Sequence, residues 1–125
     1  MRSNWLLVGA AIGFLAVAAG AFGAHALRDS LSSEGVGWWR TAAEYQLIHA
    51  VALVVVGVLG RAEPPLACLR VAGLGFTIGI VLFSGSLYAL ALTNVRSLGA
   101  VTPFGGALLL VGWGALAVAA WRRPR

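Results

Sequence analysis

Four long apolar runs, separated by short polar breaks, make up most of this chain. Trp5 to Ala24 is a 20-residue stretch without a charge, preceded by Arg2. About 20 mostly apolar residues suffice to cross about 30 Å of hydrocarbon as a helix. The second run ends at Gly60, where Arg61-Ala-Glu-Pro-Pro stops it, because Pro64 and Pro65 cannot continue a helical ladder. The third begins after Arg70 and gives out at Thr93-Asn94, and the fourth ends in Arg122-Arg-Pro-Arg125. The pattern predicts an all-α fold: a four-helix transmembrane bundle with short loops and one longer outer connection, His25 to Arg40. The expected spans are about 5–24, 42–60, 71–92 and 103–121. A cleaved signal peptide is the competing reading of the first run, since Ala and Gly crowd its end. Signal cores are shorter, about 7–15 residues, so the run is read as a helix.

The second run is the one with a constraint. Leu47 to Gly60 is too short to span by itself, so the helix must also take in Glu44, Tyr45, Gln46 and His49. Polar groups at that depth are costly to face toward lipid and should turn toward other helices or a wet cavity. Tyr45 and Gln46 precede His49 by four and three residues and share its helix face. Glu44 lies about 140° away from it at about 100° per residue. Ser32 or Ser33 is placed to cap a helix leading into this span, although Gly35 and Gly37 weaken that start. Thr102-Pro103 has the order of an N-cap followed by a first-turn proline. Trp38 and Trp39 suit the membrane–water interface.

Composition narrows the class. Hydrophobic residues make up 60% of the 125 and charged residues 10%, far from a soluble balance and consistent with one membrane domain. The net charge of +5 comes from arginines that, apart from Arg122-Arg-Pro-Arg125, stand singly between apolar runs. They read as topology signals and not as a nucleic-acid footprint, so no nucleic-acid partner is expected. Four spans place Arg2, Arg61, Arg70, Arg122, Arg123 and Arg125 on one side, and Arg28, Arg40 and Arg96 on the other. That six-to-three split puts both termini in the cytoplasm. The single Cys68 excludes an internal disulfide and reads as small apolar packing.

The candidate chemistry is a polar cluster of His25, Glu44, Tyr45, Gln46, His49, Ser84, Ser86 and Thr102. Three functional readings stand beside a purely structural one. His49 with Glu44 as carboxylate partner would make a proton or ion relay. His25 and His49 would make a metal or haem site, although their spacing fits no known motif. Tyr45, Ser84 and Ser86 would be polar contacts of a lipid or quinone pocket. The structural reading is that these groups bond to neighbouring helices for about 0.6 kcal/mol each. No nucleophile–base pair or phosphate loop is visible, so no enzyme, metal or cofactor is expected. Ser84-Gly85-Ser86 and the pairs Gly9/Gly13 and Gly75/Gly79 read as close helix packing, with Ala16, Gly20 and Ala24 continuing the first stripe.

Four runs carry a resemblance: Gly20-Ala-Phe-Gly-Ala-His-Ala-Leu, Tyr45-Gln-Leu-Ile-His-Ala, Leu82-Phe-Ser-Gly-Ser-Leu-Tyr-Ala-Leu and Leu98-Gly-Ala-Val-Thr-Pro-Phe-Gly-Gly. In order and spacing they resemble the small membrane-protein family catalogued as domain of unknown function 423, itself similar to eukaryotic transmembrane protein 256. The resemblance implies about four spans and assigns no reaction, so no catalytic residue is carried over. The expected role is a non-enzymatic helical bundle acting as an assembly factor or accessory subunit. A small oligomeric transporter or channel, or a lipid- or quinone-binding protein using the polar cluster around His49, is the alternative. Membrane lipids, a second copy or a larger membrane complex are the expected partners. The expected location is a bacterial cytoplasmic (inner) membrane.

Overall fold

The computed structural model describes residues 4–61 and 67–123. The proline stop at residues 64 and 65, and Arg2 and Arg125 of the arginine count, lie outside the described residues. Four α-helices follow in order: α1 (Trp5–His25), α2 (Ser33–Leu59), α3 (Ala67–Thr93) and α4 (Thr102–Arg122), with a short 3-10 helix, Arg96–Ala100, between the last two. All four are long and apolar enough to cross a membrane, and there is no strand among the described residues.

Local chemistry sets the helix ends. The Asn4 side chain accepts from the Leu7 amide at 3.2 Å and caps α1. Ser32 accepts from the Gly35 amide at 3.0 Å and caps α2, with Glu34 in the first turn favouring the positive end of the helix dipole. Gly35 does not break this start: it is buried, and a Cβ there would meet the Ala91 carbonyl of α3 at 3.3 Å. Its smallness serves helix contact. Asn94, at φ 56°, takes the left-handed conformation and ends α3, as the Thr93-Asn94 pair predicts. Thr102 departs from expectation. The cap of α4 is Val101, with no side-chain bond, and the Thr102 hydroxyl is held by Ser86 at 2.6 Å.

The helices pack in chain order, α1 on α2, α2 on α3 and α3 on α4. Successive contacts run antiparallel: Leu6 lies against Gly57 and Gly23 against Trp39, while Gly75 lies against Gly112 and Phe83 against Gly105. Helices α2 and α3 are therefore central and α1 and α4 flank them. Leu53, Val56 and Phe76 are fully buried in the main core, and Ala42, Leu87 and Leu90 form a second cluster toward the loop end of the bundle. Without water to drive apolar burial, association rests on close packing. At Gly9 an added Cβ would lie 2.9 Å from the Ala50 carbonyl of α2, and at Gly75 it would lie 3.0 Å from the Gly112 amide.

The small-residue stripe of α1 does not continue as expected. Gly9 and Ala16 are buried, but Gly20 has nothing within 4 Å of its Cβ position and Ala24 is exposed. In Ser84-Gly85-Ser86 the serines pack and Gly85 does not: it is exposed with open space at its Cβ position. Two residues along a helix turn about 200°, so the serines serve opposite neighbours while the glycine between them faces out.

Candidate functional site

The interior holds a seam of polar side chains that ties all four helices together. It starts where Gln46 of α2 donates through Nε2 to the Ile12 carbonyl of α1 at 3.1 Å. Its Oε1 accepts from the Tyr88 hydroxyl of α3 at 2.7 Å, so one buried amide links three helices. Ser84 of α3, 1% exposed, donates to the Ala42 carbonyl of α2 at 2.7 Å. On the opposite side of α3, Ser86 and Thr102 share a hydrogen bond to α4, and the Ser86 hydroxyl also contacts the Phe83 carbonyl at 2.9 Å.

His49 closes the seam. It is 5% exposed, which meets the length argument: the helix cannot span without it and the ring turns inward. Trp113 of α4 donates from Nε1 to His49 Nε2 at 3.0 Å. That leaves the proton on Nδ1, which donates to the Tyr45 carbonyl at 2.6 Å; the bonds of the ring thus assign a neutral tautomer. Aromatic faces surround it, with ring centroids of Tyr45, Phe76 and Trp113 at 5.8, 5.7 and 5.9 Å. Both nitrogens are engaged, so accepting a proton or ligating a metal would first require one of these bonds to break.

The remaining sequence candidates fall elsewhere. Tyr45 is half out of the bundle, stacked on Phe83 at 4.4 Å, and it is its carbonyl that reaches His49. His25 and Glu44 are exposed, and neither makes a side-chain hydrogen bond or ion pair among the described residues. They do not join Gln46 and His49. Glu44 points away as its 140° offset demands, and His25 lies at the last residue of α1, beyond the seam. Among the described residues no three His, Cys, Asp or Glu side chains gather where a metal would be held.

Three residues of the seam escape sequence reasoning. Trp39, expected at the interface, turns between helices: its Nε1 donates to the Ala19 carbonyl at 2.8 Å and its ring meets Tyr88 edge-on at 4.6 Å. Gly23 of α1 makes the slot for it. Tyr88 and Trp113 are the others. The available signal is spacing: Trp39 precedes Gln46 by seven residues and Tyr88 follows Ser84 by four, so each pair shares a helix face. Trp38, also half-buried, carries the Arg96 guanidinium 5.9 Å over its ring. Arg96 also meets Glu34 at 3.2 Å, an exposed pair worth under about 1 kcal/mol.

Comparison with known proteins agrees with this architecture. A membrane protein of Staphylococcus epidermidis named UPF0382 is 44% identical over 115 residues, covering 92% of this chain and 93% of that one. The UPF0382 membrane protein YwdK of Bacillus subtilis is 40% identical over 116 residues, covering 93% and 94%. The UPF0382 inner membrane protein YgdD of Escherichia coli is 40% identical over 126 residues, covering 100% and 95%. No solved structure matches the chain. The family described as "Protein of unknown function (DUF423)" matches residues 19–106. That stretch takes in Trp39, Gln46, His49, Ser84, Ser86, Tyr88 and Thr102, and with it the chain belongs to the DUF423 family of small membrane proteins.

Proposed function

We propose that this protein is a non-enzymatic helical bundle that serves as an assembly factor or accessory subunit in the membrane. The observation that carries this reading is the state of the interior polar groups. Gln46, His49, Ser84 and Ser86 each make at least one hydrogen bond to a neighbouring helix. Such bonds hold a bundle in register at about 0.6 kcal/mol each. The flanking helices support it further: Leu7, Phe14 and Val17 of α1 and Phe104, Leu110 and Trp121 of α4 present exposed apolar surface to lipid or to another protein. Purification from native membranes in mild detergent should yield the protein in a defined complex of fixed stoichiometry. His49→Leu should leave that complex intact while lowering bundle stability by about 1 kcal/mol. A proton or ion flux in reconstituted liposomes that His49→Ala abolishes would overturn this reading in favour of a transporter.

The chain is proposed to form one membrane domain, with 5–24, 42–60, 71–92 and 103–121 in the hydrocarbon and both termini in the cytoplasm. The charge pattern supports this orientation. Arg61, Arg70, Arg122 and Arg123 lie at one end of the bundle, while Arg28, Arg40 and Arg96 share the other with Asp29, Glu34 and Glu44. Single cysteines at Ser33 and Ser97, both exposed, test it in a Cys68→Ser background. An impermeant thiol reagent added to intact cells should label both, and protection of either reverses the orientation.

A further inference from the structure

The small-residue stripe of α1 stops packing just where a cleft of about 470 Å³ opens between the end of α1, the connection after it and the start of α2. Gly20, Gly23 and Ala24 give it an apolar floor, and Arg28, Arg40 and Glu44 stand around it. The volume is that of a small-molecule site. All three charged residues are exposed, and among the described residues none is in an ion pair. Arg40 and Glu44 are one helical turn apart on the same face and still do not pair.

We infer that this cleft binds the headgroup of a zwitterionic, amine-bearing phospholipid, its phosphate held by Arg28 and Arg40 and its ammonium by Glu44. The place favours a lipid, since the cleft lies at the end of α1, where an apolar span gives way to the polar connection. Guanidinium groups match phosphate oxygens with paired donors. A carboxylate near the end of a membrane span needs a positive partner, and a lipid amine supplies one that also donates hydrogen bonds. The charge pattern is selective. A purely anionic headgroup would satisfy the arginines and leave Glu44 facing more negative charge. A choline headgroup carries the positive charge but no N–H to donate. The acyl chains would lie along α1 beside Gly20, where nothing stands within 4 Å of the Cβ position. The cleft is separate from the interior seam, and this site stands whether or not the bundle serves a larger complex.

The test is native mass spectrometry of the full-length protein, delipidated and offered phosphatidylethanolamine, phosphatidylglycerol or phosphatidylcholine at equal concentration. Wild type should retain phosphatidylethanolamine about tenfold better than the other two, the size expected of a charge-assisted hydrogen bond. The Arg28→Gln/Arg40→Gln protein should lose that retention, and Glu44→Gln should reduce it to the phosphatidylcholine level. Their exposure makes these substitutions tolerable to the fold, and an unchanged melting temperature verifies it. Equal retention of the three lipids, or retention that survives the double arginine substitution, overturns the site. Displacement of the lipid by soluble phosphoethanolamine at the same concentration would overturn the lipid as its ligand.

Discussion

Gly105→Val should separate α4 from α3 and destabilise the bundle by about 3 kcal/mol or more. At Gly105 the two backbones touch: an added Cβ would overlap the Phe83 amide and lie 2.7 Å from the Phe83 Cα. Backbone cannot rotate aside as the end of a side chain can, so α4 must move outward. That shift is felt along the helix, because Gly112 seats the Phe76 ring and Leu109 sits on Gly79, with Cβ approaches of 2.6 and 2.7 Å. It would also strain the Ser86–Thr102 and His49–Trp113 bonds. In lipid no hydrophobic gain offsets lost contact, since the tails are as apolar as the side chains. Denaturant titration in mild detergent micelles measures the loss. Gly85→Ala and Gly114→Ala are the controls: nothing lies within 4 Å of either Cβ position, and their stability should stay within about 0.5 kcal/mol of wild type. A Gly105→Val protein as stable as wild type would mean that the backbones do not meet there.

The second large effect is expected at Trp39. Trp39→Ala should cost about 3 kcal/mol, the low end for truncating a packed aromatic, because the ring is only half-buried. The ring fills the slot over Gly23, meets Tyr88 edge-on and lies 6.4 Å from Phe22, so its removal loosens α2 from both α1 and α3. Trp39→Phe keeps most of that packing and loses the bond to the Ala19 carbonyl, for about 0.6–1 kcal/mol. The order Ala worse than Phe, read in the same titrations, separates an inward tryptophan from an interfacial one. A Trp39 turned outward to the headgroups would make both substitutions nearly silent. Cross-linking through cysteines at Ala19 and Ala43 offers a second readout, since the α1–α2 distance should become variable only in Trp39→Ala.

How these residues became legible differs from one to the next. Gln46 and His49 could be read in the sequence because the second apolar run is too short without them, and a polar group in hydrocarbon has nowhere to turn but inward. Asn94 and Ser32 could be read because a helix end is a local event, decided by one side chain or one φ angle. Thr102 could not. Its cap geometry was locally sound, but Ser86 on another helix competes for the same hydroxyl. Trp39 was legible only in part: an aromatic turned out to the headgroups and one filling an interhelical slot look alike in sequence, and only Gly23, sixteen residues earlier on another helix, distinguishes them.

By itself the sequence determined the number of helices, their membrane character and which polar groups had to be internal. These follow from run length and from the cost of unsatisfied polar groups in lipid, both of which act along the chain. Tertiary structure decided the partners. Which carbonyl receives Ser84, which indole N–H donates to His49, and which glycines touch backbone and which face lipid depend on the rotation of each helix about its axis. That rotation is set by how the four surfaces pack together, because helix propensity and hydropathy do not distinguish one face of an almost uniformly apolar helix from another.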